Sequence, residues 1–377
     1  MAPGGSRSVS TSWRSILLTP NVLGKDGVSA LSREMARALP PPALVLSLHD
    51  ASLPAEQSPV GIEVRGAGGS RARFLVAAAN AARQAGTEAT IACSHLHLAP
   101  IAKIMSMMTS LGGRGSRPTI VLCGIEAWVP LRPLERWALS TSDVAAISQH
   151  TIDRFKTANP QLRAMDIAVC HPGLPAARAR AAEPSAASST ALIVARMSAS
   201  ERYKGHDALL DVWPRVLERH PDAVLVIAGD GDDRPRLEAR ARDLGIDRAV
   251  HFSGRVSDEA LDALYEQCRF FVMPSRDEGF GLVFLEAMRA GKPCIGAAGA
   301  AAEIIEHGVT GFVVDAGSRG DLTAAVERLY DEPATCVQMG TAGRQRFLST
   351  FTDRHFQERF ARLIAHEAPA TLAASLP

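Results

Sequence analysis

Short apolar runs alternate with longer amphipathic segments along most of this chain. The apolar runs predict β-strands at 15–19, 43–48, 61–65, 89–93, 119–123, 144–148 and 167–170, and then at 191–195, 223–228, 249–253, 269–273, 293–297 and 311–315. Segments with helical spacing separate them, among them 28–39, 71–84, 101–111, 151–157, 207–219 and 353–366. Regular alternation of strand and helix favours parallel sheets covered by helices on both faces.

The segment 175–190 interrupts this alternation. It consists mainly of Ala, Pro, Ser and Arg, a composition that cannot build a core, and we interpret it as a linker between two α/β domains. The predicted organisation is therefore an N-terminal domain (1–174), the linker (175–190), a C-terminal domain (191–351) and a terminal helical segment (352–377). In that last segment Phe356, Phe360 and Leu363 share one helix face, which is typical of a helix packed on a core.

The bulk composition narrows the class of protein. The 377 residues are 46% apolar and 21% charged, as in globular proteins, and 41 basic against 40 acidic residues leave no global field that would favour nucleic acid. The six cysteines lie far apart without a Cys-x-x-Cys motif, so we expect reduced thiols in a cytoplasm rather than a zinc site or a disulfide framework. No apolar run is long enough for a membrane helix, and residues 1–13 lack the apolar centre of a signal peptide, so we expect a cytoplasmic or peripheral protein.

The strongest chemical signal follows the strand at 269–273. There Gly279 and Gly281 let the backbone approach a ligand, and the helix that begins at Leu282 offers unpaired N–H groups that favour a phosphate. Glu278 and Glu286, with seven residues between them, frame this turn. Because a carboxylate beside a diphosphate would repel it, we expect these acids to accept hydrogen bonds from hydroxyls. A ligand rich in phosphate and hydroxyl is a nucleotide sugar; the alternative is an ordinary strand-to-helix turn with both acids solvated.

The run Glu-Gly-Phe-Gly-Leu followed by Leu-Glu-Ala-Met resembles the E-x7-E signature of the retaining glycosyltransferases of family 4. The resemblance spans about 15–362 and is strongest over 192–315. It implies the α/β fold called GT-B, in which two Rossmann-like, doubly wound domains face each other across a cleft and the terminal helix crosses back to the first domain. It also implies transfer of a hexose from a nucleoside diphosphate sugar with retention at the anomeric carbon, without a metal or other cofactor.

The same resemblance implies roles for particular residues. Arg196-x7-Lys204-Gly205 resembles the basic pair of the family, which suits a diphosphate leaving group that gains charge as the sugar departs. The implied catalytic residues are Arg196, Lys204 and Glu278, and the implied donor-binding residues are Gly27, Arg255, Val256, Gly279, Phe280, Gly281, Leu282 and Glu286. Arg255 and Val256 belong to the loop that meets the nucleobase in family members, and Glu286 is expected to bind the ribose.

The acceptor side is less clearly marked. His95 and His97 follow a strand, and alternation in an extended stretch would put them on the same side; we take His95 as an acceptor-side candidate, the alternative being turn histidines without chemistry. No third ligand with fitting spacing supports a metal at this pair. Glu126 is a candidate partner for an acceptor hydroxyl. Cys123 stands where many family members carry histidine, which argues against an acid–base role there and favours a structural thiol.

A Met-rich helix at 101–111 carries Lys103 and precedes the basic loop 112–117, with Arg132 and Arg136 further on. Such a surface can contact anionic lipid at the cytoplasmic face of the inner membrane, or can be simply solvated.

The leading hypothesis is a retaining hexosyltransferase of bacterial polysaccharide or glycolipid synthesis, with a saccharide or lipid-linked saccharide acceptor. GDP-mannose and UDP-glucose are both compatible donors. The alternatives are a catalytically impaired nucleotide-sugar-binding protein and an epimerase or hydrolase on the same fold.

Overall fold

The computed structural model describes residues 12–24, 26–54, 58, 60–109, 117–176 and 188–366. Its contacts divide the chain into two compact units: the first comprises 1–147, 151–171 and 356–377, and the second 148–150 and 172–355. The N-terminal part of the first unit extends to His171, whereas the domain boundary expected from sequence lies at 174. Most of the predicted linker (177–187) and of the predicted basic loop (112–116) lies outside the described residues.

The first unit contains a seven-stranded parallel sheet. Its strands are β1 (Trp13–Thr19), β2 (Ala43–Ser47), β3 (Ile62–Gly66), β4 (Ala85–Cys93), β5 (Thr119–Leu122), β6 (Asp143–Ala146) and β7 (Ala168–Val169), in the spatial order 3-2-1-4-5-6-7. The connecting helices are α1 (Gly27–Arg37), α2 (Arg71–Gln84), α3 (Ala99–Thr109), α4 (Pro133–Leu139) and α5 (Gln149–Ala158). The order reverses between β1 and β4, so the loops that leave these two strands diverge and open a crevice at their carboxyl ends.

The second unit repeats this architecture with six parallel strands. They are β8 (Thr190–Val194), β9 (Val224–Ala228), β10 (Val250–Gly254), β11 (Phe270–Met273), β12 (Cys294–Ala297) and β13 (Gly311–Val314), in the order 10-9-8-11-12-13. Its helices are α6 (His206–Arg219), α7 (Arg234–Asp243), α8 (Asp258–Gln267), α9 (Leu282–Arg289), α10 (Ala301–Ile304), α11 (Arg319–Asp331) and α12 (Pro333–Thr350). Here the order reverses between β8 and β11, which pair directly, so the loops after these two strands start side by side at the carboxyl edge of the sheet.

The last helix, α13 (Asp353–Ile364), belongs to the first unit from Phe356 onward. Gln357 donates a hydrogen bond to Glu34 (3.1 Å) and Arg359 donates one to the His171 carbonyl (2.9 Å). Its buried stripe is Phe356, Phe360 and Ile364. Leu363, the third residue predicted on this face, is partly buried, and the fully buried position of the last turn is its neighbour Ile364.

The core of each unit forms around its central strands. β1 and β2 are buried at nearly every position, as expected for central parallel strands covered by helices on both sides. Among the described residues, no helix combines the length and the apolar character needed to cross a bilayer.

Candidate functional site

The loops that follow β8 and β11 are pressed together in the second unit. The Arg276 amide donates to the Tyr203 carbonyl (3.0 Å). Gly205 adopts φ +93°, and a Cβ at this position would lie 2.8 Å from Pro274 Cγ and 2.9 Å from its carbonyl oxygen. Both the dihedral angle and the lack of space therefore require glycine here. This close approach sets Lys204, one residue earlier, against the loop that carries Glu278.

Lys204 and Glu278 form an ion pair. Lys204 Nζ lies 2.6 Å from Glu278 Oε2, and the two side chains are 18% and 19% exposed. The ammonium also lies 5.4 Å from the centre of the Tyr203 ring, within the range of a cation–π interaction. Two of the three predicted catalytic residues are thus in direct contact, partly shielded from water but still reachable by a ligand.

The predicted phosphate-binding turn leads into α9. Gly281 caps this helix with φ +99°, and a Cβ there would lie 2.6 Å from the Phe284 ring and 3.4 Å from Glu278 Cγ. Phe280 is buried, with its ring centre 6.1 Å from that of Phe351. Because Leu282 is the first helical residue, the amides of Leu282 and Val283 have no intrahelical acceptor and lie at the positive end of the helix dipole, while the Phe284 amide donates to the Gly281 carbonyl (3.0 Å).

Glu286 lies on the second turn of α9 and is held by a tyrosine. The Tyr265 hydroxyl donates to Glu286 Oε2 at 2.8 Å. Burial, followed by the negative charge of Glu286, raises the pKa of Tyr265 well above its usual value, so this hydroxyl stays a neutral donor. Sequence reasoning missed Tyr265, because it belongs to α8, a helix that precedes the strand leading to the site, and no local spacing relates it to Glu286.

Arg196, the third predicted catalytic residue, is paired with an acid that the sequence analysis did not single out. Its guanidinium lies 2.5 Å from Glu201 Oε1; the Arg196 side chain is 74% exposed and that of Glu201 16%. Both residues act electrostatically on the phenol of Tyr203, as does Glu278. Burial and these two carboxylates raise the Tyr203 pKa to about 12, while Arg196 opposes the shift. The two ion pairs therefore belong to one charged cluster around Tyr203.

The predicted base-binding residues lie further along the same edge of the sheet. Arg255 is exposed and Val256 half-buried in the loop after β10, two strands away from β8. The loop between them, at 229–231, is fixed against the loop after β8: the Met197 amide donates to the Asp230 carbonyl (3.1 Å), and a Cβ on Gly231 would lie 2.0 Å from the Met197 carbonyl oxygen. These loops form a continuous edge, but no described contact joins Arg255 to the Lys204–Glu278 pair.

In the first unit, Gly27 is the exposed first residue of α1. The loop before it is fixed by charged side chains from elsewhere in the unit. Asp50 Oδ2 accepts from the amides of Val22 (2.5 Å) and Leu23 (3.2 Å), and Arg33 donates to the carbonyls of Val22 (2.9 Å) and Gly24 (2.6 Å). The N-terminus of α1 is therefore held in place at the carboxyl end of β1.

His95 and His97 lie in a 3₁₀ turn after β4. The sequence predicted an extended stretch here, which is wrong. The two rings are still neighbours, with their centres 4.9 Å apart, because the His97 amide donates to His95 Nδ1 (3.3 Å) and closes the turn. Burial, reinforced by the positive charge of His97, lowers the pKa of His95 to about 4, so its imidazole is neutral at physiological pH. His97 Nδ1 lies 2.8 Å from Glu135. Across the described ranges, no three His, Cys, Asp or Glu residues are grouped to hold a metal.

Cys123 and Glu126 follow β5 in the same unit. The Cys123 amide donates to Glu126 Oε1 (2.6 Å), and its thiol donates to the Ser94 carbonyl (2.9 Å). Burial, and then the charge of Glu126, raises the pKa of the Cys123 thiol well above its usual value. Burial also raises the pKa of Glu126. This geometry makes the thiol a neutral hydrogen-bond donor and rules out a thiolate base at physiological pH.

A cavity of about 580 Å³ lies elsewhere in the first unit, with Arg117, Asp143 and His366 in its lining. Arg117 precedes β5 and Asp143 begins β6, so this cavity is at the amino edge of the sheet. Ligands of doubly wound folds bind at the opposite edge, where His95 and Glu126 lie, and the cavity is therefore separate from the candidate site.

The sequence family described as Glycosyl transferases group 1 matches residues 178–346. A "GDP-mannose-dependent alpha-(1-6)-phosphatidylinositol monomannoside mannosyltransferase" of Mycolicibacterium smegmatis is 31% identical over 296 residues, 73% of this chain and 76% of that protein. A "GDP-mannose-dependent monoacylated alpha-(1-6)-phosphatidylinositol monomannoside mannosyltransferase" of Corynebacterium glutamicum is 28% identical over 308 residues, 78% of this chain and 74% of that protein.

Solved structures show the same fold. Anabaena Alr3699/HepE in complex with UDP-glucose superposes with a TM-score of 0.73 at 19% identity, over 93% of this chain and 99% of that one. A glycosyltransferase from Rickettsia africae ESF-5 superposes with a TM-score of 0.73 at 17% identity, over 95% of this chain and 100% of that one. Two parallel-sheet domains of this kind define the GT-B class of glycosyltransferases. The chain belongs to the group 1 glycosyltransferases, which confirms the family-4 type and the GT-B fold predicted from the E-x7-E spacing.

Proposed function

We propose that this glycosyltransferase moves a hexose from a nucleoside diphosphate sugar to a hydroxyl of a saccharide or glycolipid acceptor, with retention at the anomeric carbon and without a metal. The observation that carries the proposal is the Lys204–Glu278 pair beside the first turn of α9. It puts a cation, a carboxylate and unpaired backbone amides within reach of one ligand. A diphosphate needs the cation and the amides, and a sugar hydroxyl needs the carboxylate.

The proposed mechanism uses these groups in one step. The acceptor hydroxyl attacks the anomeric carbon on the face that the diphosphate leaves; the carbon–oxygen bond to the diphosphate breaks, and a leaving phosphate oxygen takes the acceptor proton. Lys204 and Arg196 stabilise the charge that builds on the departing diphosphate. Glu278 holds sugar hydroxyls and stabilises the oxocarbenium-like centre. Because two cations and a helix N-terminus can neutralise the diphosphate, we expect no requirement for a divalent metal.

Glu286 is proposed to bind the ribose. A ribose presents two neighbouring hydroxyls, and a carboxylate in a fixed orientation can accept hydrogen bonds from both. The buried hydroxyl of Tyr265, 2.8 Å from Glu286 Oε2, fixes that orientation. In the first unit, the N-terminus of α1 at Gly27 is proposed to meet the diphosphate, and His95 and Glu126 to meet the acceptor.

We propose GDP-mannose as the donor. The mycobacterial and corynebacterial relatives named above are described as GDP-mannose-dependent, and they match this chain over about three quarters of its length. The structural neighbours that contain UDP or UDP-glucose share only 19–20% identity, a level that supports the fold alone. The acceptor proposed on the same basis is a mannosylated glycolipid.

A glycolipid acceptor requires the protein to reach a membrane surface, and we propose that the exposed face of α3 and α4 contacts it. α3 and α4 pack side by side, and their solvent side carries four exposed apolar residues: Ile104, Met107, Leu134 and Trp137. Lys103 and the exposed Arg132 and Arg136 border this face. α3 contains no acidic residue, and the one acid of α4, Glu135, is buried and paired with His97. A mixed apolar and cationic surface of this kind suits anionic lipid.

The test is a donor panel. The purified enzyme is incubated with GDP-mannose, UDP-glucose, UDP-galactose or UDP-N-acetylglucosamine and a mannosylated lipid extract, with and without EDTA, and products are identified by mass spectrometry. We expect a product one hexose heavier with GDP-mannose, in a yield unchanged by EDTA. The one-bond C1–H1 coupling in its NMR spectrum should be that of an α-mannoside. The rise in unfolding temperature with GDP, compared with that with UDP, shows which nucleotide the protein binds more tightly.

Other outcomes would each point elsewhere. Stabilisation by nucleotide without any product would identify a binding protein. Release of free hexose in the absence of acceptor would identify a hydrolase, and conversion of the donor to an isomeric nucleotide sugar would identify an epimerase. Loss of transfer with EDTA, restored by a divalent cation, would contradict the proposed metal independence.

A further inference from the structure

Both cations proposed to bind the diphosphate are already paired with carboxylates of their own. Lys204 is held by Glu278, and Arg196 by Glu201 at 2.5 Å. Both side chains of the Lys204–Glu278 pair are mostly buried. In the other pair, the Arg196 side chain is largely exposed while that of Glu201 is mostly buried. Arg196 is therefore free to turn toward a ligand, whereas Glu201 stays in place.

The backbone fixes the position of Glu201. It lies within a short 3₁₀ segment (Ala199–Lys204) but has non-helical dihedral angles, φ −121° and ψ 29°, and its amide donates to the Ser198 carbonyl (2.9 Å). The second carboxylate oxygen, Oε2, is buried and has no hydrogen-bond partner among the described residues. A buried acceptor without a partner lowers the stability of the fold, so this carboxylate is not explained by folding alone.

We propose that Glu201 is a specificity-determining residue that weakens the binding of the nucleoside diphosphate product relative to the nucleoside diphosphate sugar. This inference rests on the proposed function. Glu201 competes with the ligand for Arg196 and adds a fixed negative charge beside the diphosphate. The competition for Arg196 weakens donor and product alike, whereas the repulsion grows with the charge of the ligand.

Glu201 can discriminate between the product and the donor because the two differ in charge. In the sugar nucleotide the terminal phosphate is esterified and carries one negative charge. In the product it is free, and since the second ionisation of a phosphate monoester has a pKa of about 6, it carries nearly one charge more at neutral pH. Coulomb repulsion by Glu201 therefore acts more strongly on the product. The enzyme gains faster exchange of product for donor.

The test compares Glu201→Gln with two further variants. Glu201→Asp keeps the charge and serves as the conservative rescue. Glu218→Gln is the matched control, because Glu218 is also the acidic partner of an arginine, Arg215, in the same unit. Unlike Glu201, Glu218 and its partner are mostly exposed, and they lie on α6, away from the loops of the site. For each, the inhibition constant of GDP, the KM for GDP-mannose and kcat are measured at low and high salt.

In Glu201→Gln we expect the inhibition constant of GDP to fall about fivefold to tenfold and the donor KM to fall about twofold, with a smaller difference at high salt. Glu201→Asp and Glu218→Gln should behave as wild type. Guanosine binding should be the same in all variants, because guanosine carries no phosphate. A merely structural role of Glu201 would change guanosine and GDP binding together.

An equal effect on GDP and GDP-mannose, or weaker GDP binding in Glu201→Gln, would overturn the inference. If the wild-type chain bound GDP but transferred no sugar from any donor, the proposed function would fail instead. In that case calorimetric titration of GDP and GDP-mannose into wild type and Glu201→Gln would still decide the role of Glu201.

Discussion

The Lys204 ammonium and the Glu278 carboxylate, separated by 74 residues in the sequence, lie 2.6 Å apart. They meet because β8 and β11 are neighbours in the second sheet and because Gly205 lets the two following loops come together. Both side chains are about four-fifths buried, where an unpaired charge would be costly. The pair therefore keeps a cation in a partly desolvated position until a diphosphate replaces the carboxylate as its partner.

Replacing Lys204 with Ala should mainly lower turnover. Lys204 is proposed to stabilise charge that develops as the diphosphate leaves, and loss of one such group typically costs about 10²–10³-fold in kcat. The donor KM should change much less, since the helix N-terminus and Arg196 remain. Steady-state kinetics with GDP-mannose measure both. Arg215→Ala removes an exposed cation of the same unit and serves as the control. Transfer by Lys204→Ala at the wild-type rate would exclude the charge argument.

The Tyr265–Glu286 pair should govern nucleotide affinity rather than chemistry. Glu286→Ala removes the proposed ribose contact and should weaken GDP binding about tenfold or more. Tyr265→Phe keeps the ring and removes only the hydroxyl that orients Glu286, so we expect a smaller loss, about threefold to tenfold. Calorimetric titration of GDP gives both values. If Tyr265 acts through Glu286, the double variant should lose no more affinity for GDP than Glu286→Ala alone. If the two losses add instead, Tyr265 acts independently of Glu286.

Cys123 should contribute no acid–base chemistry. Because burial and the charge of Glu126 raise the thiol pKa, the thiol stays protonated across pH 6–9. Cys123→Ser keeps a donor to the Ser94 carbonyl, and we expect kcat/KM within about threefold of wild type and an unchanged pH profile. A pH–rate profile of both enzymes is the measurement. Disappearance of an ionisation from the Cys123→Ser profile would contradict the structural role.

His206 should make stability depend on pH. Burial, partly opposed by Asp207 and reinforced by Lys204, lowers its pKa to about 4. The unfolded chain, with a pKa near 6.5, takes up the proton first, so stability is full above pH 6.5 and is lost as the pH falls toward 4. The complete loss is about 3 kcal/mol. Urea unfolding at pH 7.5 and 5 should show a smaller difference for His206→Gln than for wild type. His251→Gln, at an exposed position, should keep the wild-type difference.

The exposed face of α3 and α4 should bind anionic vesicles. We expect co-sedimentation with phosphatidylglycerol vesicles at low salt, weaker binding at high salt and none to phosphatidylcholine. Trp137 is the one exposed residue of the four tryptophans, since Trp13 and Trp213 are buried and Trp128 is half-buried, and it should report insertion by a blue shift of its fluorescence. The double variant Lys103→Glu and Arg136→Glu should abolish vesicle binding and leave transfer to a soluble acceptor intact. Equal binding by this variant would place the lipid contact elsewhere.

Local sequence was sufficient for much of this protein. Strand and helix positions follow from apolar periodicity, and the parallel two-domain architecture follows from their alternation. The turn 278–286 was recognisable because its glycines and acids are adjacent in the chain, and the spacing itself is the signal. The helices α4 and α8 were not predicted; α4 spans only seven residues, which is too few to show a clear period.

What the sequence determined by itself is the fold class, the family and the identity of the residues on each loop, because these depend on patterns within a few neighbouring positions. The tertiary structure alone decided the partners: Lys204 with Glu278, Arg196 with Glu201, and Glu286 with Tyr265. Two of these pairs join different strands or helices, and the third needs a backbone kink at Glu201 that no propensity indicates. Partner choice depends on strand order and on how closely two backbones approach, and neither is encoded in the spacing along one segment.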